Sequence, residues 1–283
     1  MILGVLGGSG LYDLDGLSDV RLEEVSTPFG APSAPIVSGR IGAARLLFLP
    51  RHGRGHRFSP SEINYRANVF ALKSLGAERV LSISAVGSLR EGLAPGDFVL
   101  PDQFIDKTYR RASTFFGDGV VGHVGFAEPT CPAFGAAVAA AAGPGGKRVH
   151  RGGTYVCMEG PQFSTRAESM LHRSWGADVI GMTAATEAKL CREAEVCFVS
   201  LALVTDYDAW HAEEAAVSVE AVIAVLRANV AGAQDVIRRL GDHVGSVAPC
   251  ACARAAANAV ITAPDAISAE ARGRLRLLHG RDL

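Results

Sequence analysis

The chain has 283 residues, 48 % of them hydrophobic and 20 % charged, with a formal net charge of −1. That composition suits one large globular domain or two small ones, and the near-neutral balance argues against a nucleic-acid partner. No run approaches the roughly 20 apolar residues of a membrane span, and the opening M-I-L-G-V-L is too short for a signal peptide and has no basic residues before it; a cytoplasmic protein is expected.

Residues 1–6 read as a buried strand running into Gly7-Gly8-Ser9-Gly10. Two more strands are expected within 35–50, the second leading directly into Arg51 and His52. Ser59, Pro60 and Glu62 give the N-cap, first-turn proline and capping-box acid of a helix, which keeps apolar spacing through Ile63, Ala67, Phe70, Ala71 and Leu75 and stops at Gly76. A buried strand R-V-L-S-I-S follows, ending in Ala85-Val86-Gly87-Ser88. A further strand is expected at 97–101, a loop over 107–130 and an alanine-rich helix at 133–143. Residues 154–158 read as a strand. The pair Thr165 and Glu168 then opens a helix that ends near Gly176. A short strand at 178–182, a helix at 185–194 and a strand at 196–204 complete the alternation. The last strand delivers Asp206 and Asp208 within T-D-Y-D-A-W. The long helix from Ser218 to about Leu240 sets Val219, Val222, Ile223, Leu226, Val230, Val236 and Ile237 on its inner side. The Arg-rich segment from Ala263 is expected to be a short helix or disordered.

Strands alternating with helices, without a linker or repeat, predict a single α/β domain over 1–262 with a mixed central β-sheet flanked by helices, followed by an Arg-rich C-terminal tail at 263–283. Sites in such sheets gather at the carboxyl ends of the strands. Four strand ends here carry small residues and hydroxyls: Gly7 to Gly10, Arg51-His52, Ser84 to Gly87 and Met182-Thr183. A phosphate group takes backbone N–H groups, hydroxyls and an arginine fork at short range. Each stretch alone is also what a tight turn or a helix cap looks like. The nucleotide-binding P-loop pattern is absent, and Asp13 stands where the dinucleotide fingerprint needs its third glycine.

The six cysteines, at 131, 157, 191, 197, 250 and 252, are scattered, with no C-x-x-C pair and no histidine at zinc spacing. No metal site and no nucleophilic cysteine is expected, and a cytosolic chain keeps its thiols reduced. His150, His172, His243 and His279 are expected to be surface or satisfied side chains; His56 and Glu159 are candidates for the vicinity of the site.

Taken together, G-G-S-G-L, T-P-F-G-x-P-S, L-P-R-H-G-R-G-H, P-S-E-I-N-Y-R-A-N, A-V-G-S-L-R-E, E-G-P-Q-F-S-T-R-A-E-S, W-G-A-D-V-I-G-M-T and T-D-Y-D-A-W occur in an order that resembles the 5′-methylthioadenosine phosphorylases, of the trimeric purine nucleoside phosphorylase group, over residues 3 to 240. The resemblance implies a nucleoside-phosphorylase fold and phosphorolysis of a 5′-modified adenosine without metal or organic cofactor, phosphate being a co-substrate. It assigns phosphate to Ser9, Arg51, His52, Ser84, Ala85 and Thr183, the ribose to Met182, the purine face to Phe163, and the purine N7 and N6 to Asp206 and Asp208. His123 resembles the residue that a neighbouring subunit of a homotrimer lends to the 5′-pocket, and Val219, Val222 and Ile223 resemble that pocket's apolar wall. Gly181 stands where relatives more often have asparagine. The C-x-C at 250–252 resembles relatives that form disulfides there.

The chemistry is consistent with those roles. Residues two apart on a strand face one side, so Asp206 and Asp208 converge if the strand persists through Tyr207. A poorly solvated aspartic acid is held protonated toward neutral pH and can donate to the N7 of a leaving purine. A second carboxylate suits an adenine N6 amino group and repels a 6-oxo group. Methylthioinosine, other purine nucleosides, or a 5′-halo or 5′-deoxy adenosine are the alternative substrates; a non-catalytic nucleotide-binding regulator and a hydrolase using water are the alternative classes.

Overall fold

In the computed structural model, residues 1–8, 11, 16–211, 219–243 and 247–281 are described. Eleven strands form one mixed sheet. In chain order they are β1 (Ile2–Gly7), β2 (Ser18–Glu23), β3 (Ile36–Ile41), β4 (Ala44–Pro50), β5 (Arg79–Ser88), β6 (Phe98–Leu100), β7 (Gln103–Asp106), β8 (Val149–Arg151), β9 (Thr154–Cys157), β10 (Val179–Gly181) and β11 (Cys197–Asp206). Among the described residues six helices flank it: α1 (Tyr65–Ser74), α2 (Pro132–Ala142), α3 (Arg166–Ser174), α4 (Ala184–Glu193), α5 (Val219–His243) and α6 (Ala269–His279).

The strand alternation divides the core in two. On β5 and β11, Val80, Phe198, Ala202 and Val204 face one side and pack with α1, α4 and α6. Leu81, Ile83, Val199, Leu201 and Leu203, one residue out of phase, face the other side and pack with α2 and α5. Both faces are covered, which is why the segment from Cys197 through Val204 is apolar or small at every position instead of alternating with charge.

Strand β5 is the organising element. Along one edge it pairs with β11 over nearly its whole length. Along the other it pairs with β1 in parallel only from Arg79 to Ser82, and with β10 in antiparallel fashion only at Gly87 and Ser88. On that second edge the residues between, 83–86, have no strand partner, so the sheet forks there. The directions of β1 and β10 make their carboxyl ends, at Gly7 and Gly181, approach this gap from opposite sides. An unpaired stretch of buried strand leaves backbone donors and acceptors open to a ligand.

Helix α1 begins later than expected. Its N-cap is Asn64, whose side chain accepts the Ala67 N–H at 3.1 Å. The Ser59–Glu62 pair closes a separate turn, with the Ser59 N–H on Glu62 Oε2 at 2.9 Å and the Glu62 N–H on the Ser59 carbonyl at 3.0 Å. The box at Thr165 and Glu168 does open α3. Strands β2, β7 and β8 were not expected: β2 alternates only two apolar residues, Val20 and Leu22, both exposed, with charged ones, while β7 and β8 are short. The Arg-rich segment is helical, and Leu275 and Leu278 of α6 join the core. Ser218, the expected start of the last helix, lies outside the described residues, as does the side chain of His243.

Candidate active site

A cavity of about 920 Å³ occupies the fork of the sheet, within the range of small-molecule sites. The gap residues Ser84, Ala85 and Val86 line it, as do Arg51 and His52 after β4 and Met182 and Thr183 after β10. Asp206 and Asp208 after β11, Phe163, and Val219, Val222 and Ile223 of α5 complete its wall. The fold thus gathers the expected site residues, with two exceptions. Ser9 lies outside the described residues. His123 lines a different and smaller cavity of about 230 Å³.

One end of the cavity presents groups that can receive an anion. Ser84 Oγ and Thr183 Oγ1 are buried and have no hydrogen-bond partner among the described residues. Thr183 is the N-cap residue of α4 but makes no side-chain cap, so its hydroxyl remains unused at the positive end of that helix. An orphan buried hydroxyl is unfavourable by about 1–3 kcal/mol; two of them facing one cavity are available to a ligand that contacts both.

Arg51 departs from the expectation of a fork open to phosphate. It is 2 % exposed, and its guanidinium is tied into the protein. Nε donates to Glu187 Oε1 at 2.7 Å, Nη1 to the Ile83 carbonyl at 2.7 Å, and Nη2 to the Leu6 carbonyl at 2.9 Å, with Glu187 Oε2 at 3.2 Å. Burial works against the charge, but Glu187 outweighs it and holds the guanidinium above its usual pKa. Arg51 thereby clamps β1, β5 and α4 beneath the gap. Ser82, on the same face as Ser84, also hydrogen-bonds Glu187, at 2.5 Å. Sequence reasoning missed Glu187. Its signal is an acid on the apolar side of α4, among Ala184, Ala188 and Cys191, where only a buried partner makes it tolerable.

His52 donates from Nδ1 to the Phe58 carbonyl at 2.8 Å, which leaves Nε2 as an acceptor on the neutral ring. Burial, then the nearby Arg51 charge, lower its pKa to about 4. His56 stacks on it at 4.1 Å and is lowered by the same two causes. At neutral pH the two rings add no positive charge to the anion end.

At the other end lie the aspartates. Their convergence does not come from strand periodicity. The β5–β11 register shifts between Val204 and Asp206, the strand stops at Asp206, and Asp208 sits in a turn with φ of 51°. Asp206 Oδ1 accepts the Asp208 N–H at 2.8 Å, and Oδ2 lies 2.7 Å from the Thr205 hydroxyl. Burial, more than the neighbouring Asp208 charge, raises the Asp206 pKa above the usual carboxylate range against these two hydrogen bonds. Asp208 is buried, and its Oδ2 has no partner among the described residues. Both acids abut Gly87: a Cβ there would meet Asp206 Oδ1 at 3.0 Å and Asp208 Cβ at 3.1 Å. Ser84 and Gly87 are three residues apart on β5, so the anion end and the acidic end are separated by roughly 10 Å.

The profile of the phosphorylase superfamily matches residues 2–240. The chain belongs to that superfamily. It is 55 % identical over 99 % of its length to the S-methyl-5′-thioadenosine phosphorylase of Geobacter sulfurreducens, covering 98 % of that protein. It is 51 % identical to the enzyme of the same name from Koribacter versatilis, covering 99 % of this chain and 96 % of that one. Among solved structures, a methylthioadenosine phosphorylase from an antarctic soil metagenomic library superposes with a TM-score of 0.93 at 46 % identity, covering 98 % of both chains. The Schistosoma mansoni methylthioadenosine phosphorylase in complex with adenine gives 0.82 at 38 % identity, over 87 % of this chain and 92 % of that one.

Around this superfamily site, supporting residues are visible that motif spacing did not disclose. Arg111 donates to the Met182 carbonyl and, at 2.7 Å, to the Glu159 carbonyl, fixing the strand end that carries Met182. Glu159 is turned to the same task. Its carboxylate accepts the Ser61 hydroxyl and the Tyr109 N–H at 2.7 Å and lies 3.5 Å from Arg111 Nε. Burial opposes its charge, but these partners hold its pKa below the usual value. Gly181 is explained by Tyr155: a Cβ at 181 would stand 2.0 Å from the Tyr155 hydroxyl, so the tyrosine fills the space an asparagine side chain needs. His150 contacts Asp97 at 2.7 Å and His279 the Glu193 carbonyl at 3.0 Å, as expected of satisfied histidines; His172 is buried with Lys107 Nζ 2.9 Å away.

The cysteines, in contrast, are not scattered in the fold. Cys131, Cys197, Cys250 and Cys252 converge, while Cys157 and Cys191 are buried elsewhere. No helix among the described residues is long and apolar enough to cross a membrane.

Proposed function

We propose that the chain catalyses the phosphorolysis of 5′-methylthioadenosine, or a closely related 5′-modified adenosine, to adenine and 5-methylthioribose 1-phosphate. The observation that carries this reading is one cavity with unpartnered hydroxyls of Ser84 and Thr183 at one end and an unpartnered carboxylate oxygen of Asp208, beside a protonatable Asp206, at the other. The names of the most similar relatives agree with it.

Phosphate sits on Ser84, the open backbone at Ala85, Thr183 and the N-terminus of α4, with Ser9, Arg51 and His52 beside it. Its oxygen attacks C1′ as the C1′–N9 bond breaks. The bond pair goes to the purine, and Asp206 gives its proton to N7 and is left as a carboxylate. Positive charge at the ribosyl centre is stabilised by the adjacent phosphate, which then captures it. Asp208 accepts from N6, favouring adenine over a 6-oxopurine. Met182 lies under the ribose, Phe163 against the base, and Val219, Val222 and Ile223 around the 5′-substituent. The reaction itself uses no cofactor.

Val219 and Ile223 are 56 % and 41 % exposed in the single chain. Their wall is completed in a homotrimer, in which His123 reaches the neighbouring subunit's 5′-pocket. The enzyme acts in the cytoplasm, in purine and methionine salvage. A substrate panel varying base and 5′-group, run with and without phosphate, tests the reading. Adenine release from methylthioadenosine only when phosphate is supplied is expected; phosphate-independent release, or preference for methylthioinosine, overturns it.

A further inference from the structure

Four thiols from three separate parts of the chain meet at one point. The Sγ atoms of Cys131, Cys197, Cys250 and Cys252 all lie within 4.8 Å of one another, and those of Cys197 and Cys250 are 3.3 Å apart. Cys131 is the N-cap of α2, Cys197 opens β11, and Cys250 and Cys252 flank Ala251 at the start of a 3₁₀ turn, Ala251–Arg254. Three of the four are buried. We propose that they form a tetrahedral tetrathiolate site for a soft divalent ion, zinc by preference, separate from the nucleoside cavity.

The geometry suits one ion. Zinc–sulfur bonds of about 2.3 Å in a tetrahedron place sulfurs about 3.8 Å apart, and the observed separations bracket that value. Two disulfides need only pairwise approach and an oxidant; the mutual convergence of four sulfurs is what a single ion requires. In a reducing compartment, clustered cysteines bind metal rather than pair with one another. The surroundings also favour thiolates. The Phe134 N–H points at Cys131 Sγ at 3.5 Å, and the N-terminus of the 11-residue helix α2 presents its positive end to the same sulfur.

The ion would staple the C-terminal segment to the sheet. That segment in turn backs the strip carrying His123. The His123 N–H donates to the Ala259 carbonyl at 2.8 Å, the Ile261 N–H to the Val121 carbonyl at 3.0 Å, and the Val121 N–H to Thr262 Oγ1 at 2.8 Å. Removing the metal should loosen residues 250–262 and, through them, residues 121–123.

The full chain, expressed with zinc available and purified under reducing conditions, should contain one zinc per chain by elemental analysis. Titrating its thiols with an organomercurial should release that zinc to a chromogenic chelator. Metal content should be lost in Cys250→Ser, whose site is exposed enough for the variant to fold, and in Cys252→Ser, with methylthioadenosine turnover retained in the former. Cobalt reconstitution should give the visible bands of a tetrahedral thiolate centre. Chelation should raise amide exchange at 250–262 and 121–123 while leaving β5 protected. Metal-free protein with four alkylatable thiols, or an intact mass showing disulfides among these four cysteines in protein prepared under reduction, would overturn the proposal. Unchanged zinc content in both serine variants would overturn it equally.

Discussion

Replacing Glu187 by glutamine tests the architecture beneath the anion end. The Arg51–Glu187 pair is almost completely buried, with side chains 2 % and 1 % exposed. The carboxylate receives Arg51 Nε at 2.7 Å and Nη2 at 3.2 Å, and the Ser82 hydroxyl at 2.5 Å. Glutamine keeps one acceptor and replaces the other with an NH₂ group facing donors. Arg51 is left as a buried cation with no countercharge. Breaking such a pair is unfavourable by about 3–5 kcal/mol, a large part of the roughly 5–15 kcal/mol that holds a domain folded. For a chain of this size the melting temperature should fall on the order of 10 °C. The freed charge sits at the wall of the cavity, so phosphate should compensate it. Ligand binding at a hundred times Kd stabilises by about 2.7 kcal/mol, and the variant should gain more from phosphate over chloride buffer than the parent does. Melting each protein across a phosphate series reads both effects. An unchanged melting temperature, or equal phosphate gains in both proteins, would refute the clamp.

Two further substitutions address the reaction. Asp206 holds its proton to higher pH than an ordinary aspartate because burial, chiefly, disfavours its charge; activity that depends on this proton is present below the raised pKa and declines as pH rises through it. Asp206→Asn should slow adenine release at least tenfold and remove that alkaline limb from the kcat/KM profile, and retention of the limb would assign it to another group. Because a raised carboxylate pKa also means stability lost as pH rises through it, the same variant should melt no lower than the parent at alkaline pH. Ser84→Ala combined with Thr183→Val removes the two orphan hydroxyls. Its KM for phosphate should rise roughly 10–100-fold, following 1–3 kcal/mol of lost hydrogen bonding, with KM for the nucleoside changed far less.

The buried strands were legible because burial on both faces writes apolar runs such as V-C-F-V-S-L-A-L-V, and because hydroxyl and glycine clusters mark the strand ends. What was not legible is contact across long separations. Glu187 reaches Arg51 over 136 residues, and nothing in either local motif names the other. The aspartates illustrate a local failure. Their spacing of two suggested a continuing strand, yet the register shift after Val204 and the left-handed turn at Asp208 bring them together by another route. The cysteine cluster was hidden for the first reason: its members come from a helix cap, a strand start and a C-terminal turn, so their spacing along the chain does not show that they converge. Exposed strand β2 alternates Val20 and Leu22 with charged residues, too brief and too polar a pattern to mark it as a strand.

In the proposed reaction one sugar carbon is held between an oxyanion cradle in the fork of the sheet and an acidic base slot beside Gly87. A crystal structure with sulfate and a non-cleavable adenosine analogue tests it most directly. Sulfate is expected within hydrogen-bond reach of Ser84 Oγ and Thr183 Oγ1, with the purine N7 and N6 edge on Asp206 and Asp208. A base edge turned away from both acids, or sulfate bound outside the fork, would contradict it.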